Sequence, residues 1–277
     1  MIITVVGLGV VGGSFVKALK GQGHEVYGVD VDEETLARAK ADGCIKEGFV
    51  DGREIIKKSD MTIICLYPSL VLDYIKNHEF KKGSIITDAV GVKTHFLNEA
   101  MDLLKYKDVE FVSGHPMAGR ENKGYLYASK EVFQGANYIL IQHEENSKSA
   151  IAMMEQFVSN LGFHSVKIMS PQAHDEIISF TSQLPHVIAV SLIDSDNQKY
   201  DTGKYIGDSY RDLTRIANIN EDLWTELFFT NKNNLLKSIQ GFEDQLDILK
   251  KAIKEEDADT LKAMFIESSK RRRNLEK

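Results

Sequence analysis

The chain is poor in cysteine. Cys44 and Cys65 are the only two among 277 residues; they stand in no metal-ligand spacing, a chain of this size needs no disulfide framework, and a reducing compartment fits. Positive charge is not in excess either. Lys+Arg 34 against Asp+Glu 41 leave a net charge of −7, which offers no global attraction for nucleic acid or anionic lipid and favours small molecules or another protein as partners. No apolar run is read as approaching the roughly 18 to 20 residues that span a bilayer. The N-terminus starts with Ile2-Ile3-Thr4-Val5-Val6 and reaches Gly7 at once, without room for the charged, apolar and cleavage regions of an export signal. A cytoplasmic protein with no membrane partner is expected. Disorder is excluded by the 43% of apolar residues, enough for one large core or two smaller ones.

Short apolar runs rich in β-branched residues alternate with amphipathic stretches through the first 170 residues, the pattern of strands joined by crossover helices. Strands are expected at Ile2–Val6, Glu25–Val29, Met61–Leu66, Ser84–Asp88, Glu110–Ser113, Tyr138–Gln142 and Ser165–Met169, and helices at Glu33–Ala41, Leu70–Lys76, Thr94–Leu104 and Ser149–Leu161. Such continuously apolar strands belong to a sheet covered on both faces. The α/β class follows, with a doubly wound Rossmann-type domain over 1–170. After it the strand signal stops. Ser170-Pro171 reads as an N-cap followed by proline at the first helical position, and Asp175 and Glu176 follow it. Residues 171–277 are therefore expected to be helical. Leu235, Leu236, Ile239, Phe242, Leu246, Leu249 and Ile253 recur every three or four residues, a stripe that must be buried against something. A homodimer through the helical half is expected to bury it. Lys270-Arg271-Arg272-Arg273 reads as a solvated helix end with cations near the negative dipole.

Gly7-Leu8-Gly9-Val10-Val11-Gly12 follows the first strand and opens a helix, the context that gives G-x-G-x-x-G its meaning. The first glycine permits a tight turn, the second lets the backbone approach a pyrophosphate, and the third lets helix and strand pack closely. Eighteen residues after Gly12, Asp30 closes the second strand, where a carboxylate accepts from ribose hydroxyls and repels a 2′-phosphate. Val31 and Asp32 follow instead of arginines. The expected cofactor is NAD.

Ser113-Gly114-His115-Pro116-Met117-Ala118-Gly119-Arg120-Glu121 stands at the carboxyl end of an expected strand, on the edge where open α/β sheets bind ligands. Further on come Ser182-Gln183-Leu184-Pro185-His186, then Asp212-Leu213-Thr214-Arg215-Ile216-Ala217, then Trp224. His174 with Asp175 lacks a third ligand for a metal and reads as structural.

Three of these blocks, His115 to Gly119, Leu184 to His186 and Asp212 to Ala217, resemble in order the H-P-x-A-G, L-P-H and D-x-T-R-I-A blocks of the prephenate dehydrogenase family. The resemblance covers nearly the whole chain. It implies a Rossmann domain with a helical dimerisation domain, and NAD-dependent oxidative decarboxylation of prephenate to 4-hydroxyphenylpyruvate in tyrosine biosynthesis. It also implies His115 as the base that accepts the 4-hydroxyl proton, without a metal, and Arg215 as the fork that holds a substrate carboxylate. His186, Glu121 and Trp224 match further substrate-region positions, the tryptophan from the partner subunit. Two departures stand out. The family's D-x-G-S-x-K has a serine bonded to the catalytic histidine, and here Gly91 occupies that place in Asp88-Ala89-Val90-Gly91-Val92-Lys93. Water, Ser113 or Thr94 is expected to replace the missing hydroxyl, or the contact is absent. Gly207-Asp208-Ser209 stands where some members have a run of glycines. Arogenate dehydrogenase is the near alternative, and a non-catalytic NAD-binding sensor is the alternative of another class. A β-hydroxyacid dehydrogenase would want a catalytic lysine after glycines, which Asn231-Lys232-Asn233-Asn234 imitates poorly.

Overall fold

The computed structural model describes residues 1–119 and 122–275. Six strands, β1 (Ile2–Val6), β2 (Glu25–Val29), β3 (Glu47–Phe49), β4 (Met61–Ile64), β5 (Ile85–Asp88) and β6 (Glu110–Phe111), form one parallel sheet in the order β3-β2-β1-β4-β5-β6. Helices α1 (Val10–Leu19), α2 (Glu33–Ala41), α3 (Arg53–Ile56), α4 (Pro68–Asn77) and α5 (Thr94–Leu104) connect them. The side-chain period of two assigns successive residues to opposite faces. Ile3, Val5, Ile63 and Ile85 enter one buried cluster with Phe15 and Leu19 of α1. Val6, Ile64 and Ile86 enter the other with Val71 and Ile75 of α4 and Phe96 and Leu97 of α5. The strand order turns back between β1 and β4, which marks the switch point where ligands of such sheets bind.

The strands expected at 110–113, 138–142 and 165–169 do not all extend this sheet. A second sheet has the order β7-β8-β9, from β7 (Gly114–Pro116), β8 (Asn137–Ile141) and β9 (Ser165–Met169), with α6 (Lys148–Ser159) between the last two. β7 is antiparallel to β8, and His115 is paired with Ile139. His115 therefore stands in a short strand of its own, just past the strand expected at Glu110–Ser113. The buried Tyr138 ring leaves no room for a side chain at Gly114, where a Cβ would lie 2.1 Å from its hydroxyl.

Ser170 caps the next helix as its sequence implies, its Oγ accepting from the Ala173 amide at 3.2 Å. Helix α7 (Pro171–Ile178), a π-helical turn at Ser179–Gln183 and α8 (Leu184–Asp194) form one continuous rod. Pro185 has no amide to donate to Thr181, and the Leu184 amide reaches back five residues to the Ser179 carbonyl. The helix thus runs on through the proline. Residues 171–194 are long and apolar enough to cross a bilayer by length and composition, correcting the expectation that no segment is. Within the rod His174, Asp175 and Gln183 are buried. After it come α9 (Asp208–Thr214), a 3₁₀ turn at Arg215–Ala217 packed on α8, and α10 (Glu221–Thr230).

By contact the chain divides into Met1–Asn231 and Lys232–Lys277. The second unit is a pair of helices, α11 (Lys232–Lys254) and α12 (Ala258–Asn274), packed on each other. Of the expected apolar stripe, Leu236, Phe242, Leu246 and Ile253 are exposed.

Candidate active site

The loop after β1 has the shape its glycines demand. Gly7 adopts φ +81°, where a side chain is strained, and a Cβ there would lie 2.5 Å from the Cys65 carbonyl oxygen after β4. A Cβ at Gly12 would lie 1.8 Å from the Gly7 carbonyl oxygen, whereas at Gly9 nothing lies within 4 Å. The close approaches at 7 and 12 and the open space at 9 make a cradle beside the first turn of α1, whose N-cap Gly9 makes no side-chain capping bond. Leu8 is buried, and Val10 and Val11 begin the helix half-buried. Asp30 ties the loop to the end of β2: its Oδ2 accepts from the Leu8 amide at 2.6 Å and its Oδ1 from the Asp32 amide at 3.0 Å. The glycines and the acid fit a dinucleotide, with amides pointing out of the helix start and a half-buried carboxylate beside them.

A buried ion pair sets the backbone of His115. Lys93 and Asp88 are both 0% exposed, and the Lys93 ammonium donates to Asp88 Oδ2 and to the Gly114 carbonyl, each at 2.6 Å. Burial pulls the Lys93 pKa down, and the Asp88 carboxylate opposes it. The D-x-x-x-x-K spacing thus fastens the end of β5 to the strand that carries His115.

The imidazole of His115 is held from one side. Its Nδ1 lies 2.9 Å from His174 Nε2, and His174 Nδ1 lies 2.7 Å from Asp175 Oδ1. Asp175 also accepts from the amides of Lys93 and Thr94 at 2.8 and 2.7 Å. Neither of the hydroxyls expected to replace a serine at 91 bonds the ring among the described residues: Ser113 Oγ is buried without a partner there, and the ring's contact is made by His174 at Nδ1. The pair read as structural therefore touches the ring of His115. No local pattern reveals it, since 59 residues separate the two rings. The other nitrogen of His115, Nε2, faces position 91, where a Cβ would lie 3.7 Å from it and 3.3 Å from Leu227 of α10. Burial, then the neighbouring His174 and Lys93, push the His115 pKa well below its ordinary value, so the ring is neutral. Burial likewise lowers His174, against the pull of Asp175.

His186 is half-buried at the start of α8, and its Nδ1–H donates to the Ser182 carbonyl at 2.8 Å. Its Nε2 is then an acceptor, and burial keeps the ring neutral. Trp224 stacks on it, with ring centroids 3.6 Å apart. Within the chain, Trp224 covers His186. Gln183 and Asn231 brace the rod: Gln183 Nε2 donates to the Leu227 carbonyl at 2.8 Å, and Asn231 Nδ2 donates to Gln183 Oε1 and the Asp175 carbonyl at 2.9 and 2.8 Å. Arg215 is exposed on the turn packed against α8. Glu121 lies outside the described residues. Among those described, no group of three or more His, Cys, Asp or Glu is arranged to hold a metal ion.

Two family models cover most of the chain. One, prephenate dehydrogenase, nucleotide-binding domain, matches residues 15–167, and the other, prephenate dehydrogenase, dimerization domain, matches residues 170–267. A prephenate dehydrogenase of Bacillus subtilis is 28% identical over 276 residues, covering 95% of this chain and 73% of the relative. The crystal structure of prephenate dehydrogenase from Aquifex aeolicus in complex with hydroxyphenyl propionate and NAD+ superimposes with a TM-score of 0.88 at 28% identity, covering 99% of this chain and 98% of the other. Synechocystis arogenate dehydrogenase superimposes with a TM-score of 0.84 at 25% identity, covering 99% and 100%.

Proposed function

Because the chain belongs to the prephenate dehydrogenase family, we propose that it catalyses NAD-dependent oxidative decarboxylation of prephenate to 4-hydroxyphenylpyruvate, with His115 as the base. The observation that carries the reading is the neutral His115 imidazole, braced through Nδ1 and with no partner at Nε2 among the described residues, in the strand next to β5. The Gly7–Gly12 cradle and Asp30 would hold NAD, which when bound would supply the hydride acceptor.

The chain's own groups supply the rest. His115 Nε2 accepts the hydroxyl proton as the carbinol carbon loses hydride and becomes carbonyl-like. The ring carboxylate leaves as CO2, its bonding pair completes the aromatic ring, and the proton returns to the phenolate oxygen. A neutral imidazole suits this at neutral pH, because it needs no prior deprotonation. Arg215 anchors a substrate carboxylate with a guanidinium fork, and His186 offers a neutral acceptor nitrogen under the Trp224 ring. Aromatisation drives the reaction forward.

The domain boundary is proposed at 170/171, and the homodimer is proposed to form through the helical region. Supporting the dimer are the description of the second family model and the exposed Leu236, Phe242, Leu246 and Ile253 of α11.

The test is NADH formation at about 340 nm with prephenate, with arogenate and with neither. Turnover with prephenate is expected. Turnover with arogenate alone would move the substrate to the amino acid, as in the Synechocystis neighbour. Binding of NAD without turnover of either acid would leave a sensor on the same fold.

A further inference from the structure

His174 and Asp175 remain after the base, the carboxylate anchor and the dinucleotide loop have been assigned. Both are buried, at 0% and 1% exposure, and the direction of the protons between them can be derived. The Asp175 carboxylate is desolvated, but hydrogen bonds from His174, Thr94 and Lys93 outweigh burial and hold its pKa below the ordinary value. It is therefore an acceptor only, and the hydrogen in the 2.7 Å contact sits on His174 Nδ1. Since burial keeps His174 neutral, its Nε2 is a lone pair. The hydrogen in the 2.9 Å contact between the rings must then belong to His115 Nδ1. One tautomer is left for His115, with Nε2 unprotonated and turned toward position 91.

We propose that Asp175 and His174 are positioning residues that fix the His115 tautomer through two successive hydrogen bonds, so that Nε2 stands ready to accept the substrate proton. The proposal rests on His115 acting as the base. Gly91 faces Nε2 and brings no side-chain oxygen to the ring, so the orienting contact is the one made at Nδ1. When Nε2 takes a proton, the positive charge stays on His115 and is stabilised by the nearby Asp175 carboxylate, which His174 bridges, as a carboxylate stabilises the imidazolium in hydrolytic triads. Lys93 also faces the rings and opposes that charge, but Asp88 pairs with its ammonium at 2.6 Å. The D-x-x-x-x-K pair thus shields the base, while the His-Asp pair supports it.

Two measurements on the full-length protein test the proposal. Long-range 1H–15N correlation spectra of the wild-type enzyme without substrate should show His115 protonated at Nδ1 and bare at Nε2. A His115 signal with Nε2–H, or a mixture of both forms, overturns the proposal without any variant. His174→Phe should lower kcat by about 10²-fold, leave KM for NAD and for prephenate within about threefold, and mix the His115 tautomers. His174→Gln keeps an acceptor for His115 and a donor to Asp175 and should recover at least about tenfold of the loss. Unchanged kcat in His174→Phe, a retained single tautomer, or equal loss in both variants overturns it. If the wild type turns over neither prephenate nor arogenate, the function reading fails, while the wild-type tautomer still decides the proton direction.

Discussion

At the scale of single residues, the site depends on which atom of each side chain is left over. His115 has one nitrogen committed to His174 and one facing position 91. Replacing it with asparagine is expected to lower kcat by about 10²- to 10⁴-fold, with NAD affinity unchanged in titration calorimetry. An unaltered kcat would remove the base. Arg215 lies on the surface of a turn and is positioned by its packing on α8. Arg215→Ala should raise KM for the acid by about 10- to 150-fold, the equivalent of a charged hydrogen bond of about 1.5 to 3 kcal/mol, with a smaller change in kcat. Steady-state kinetics check both. The shape of the glycine cradle and the place of Asp30 beside it were legible in the sequence because they are set locally. The His174 contact was not, because nothing near residue 115 encodes a ring that arrives 59 positions later.

At the scale of elements, strands β1, β2 and β9 and helices α2 and α5 have the limits their patterns imply. Each is a run of clear period with a cap or a turn at its end; α2, for instance, starts at Asp32, whose side chain accepts from the Glu34 amide at 3.1 Å. Strands β3 and β7 were not legible. Glu47-Gly48-Phe49 and Gly114-His115-Pro116 are three-residue strands with weak β propensity, formed by pairing with β2 and β8. The split into two sheets depends on such pairings too. The bridge from Asp88 to Gly114 through Lys93 makes its own prediction. Lys93→Met leaves a buried carboxylate unpaired and should destabilise the protein by about 3 to 5 kcal/mol in urea unfolding, losing activity even where the fold survives. A loss of under about 1 kcal/mol would show that Asp88 finds another partner.

At the scale of the whole molecule, buried imidazoles make stability depend on pH. Burial lowers the pKa of His115, His174 and His186 below the ordinary histidine value. Above about pH 6.5 they are neutral in both folded and unfolded chains, and their contribution to stability is complete. As the pH falls below that, the unfolded chain takes up protons that the native state refuses. His115 and His174 should each remove about 1.4 kcal/mol per pH unit until their native values are reached. The melting temperature is expected to drop by about 3 °C or more between about pH 7.5 and about pH 5.5, and a flat profile would contradict the burial. Assembly is the other molecular property. Phe242 is 37% exposed and Leu246 48%, and Phe242→Asp should shift sedimentation from a dimer toward a monomer. Unchanged sedimentation of the variant as a dimer would place the contact elsewhere.

The pairing of His115 with His174 also sets a timetable for the newborn chain. At roughly 5 to 20 residues per second of synthesis, the second ring leaves the ribosome about 3 to 12 seconds after the first, given their separation of 59 residues. Every glycine of the dinucleotide loop has emerged long before then. The nitrogen proposed to accept the proton is therefore set only after the whole dinucleotide loop is out, and a nascent chain halted before residue 174 lacks the ring that sets it.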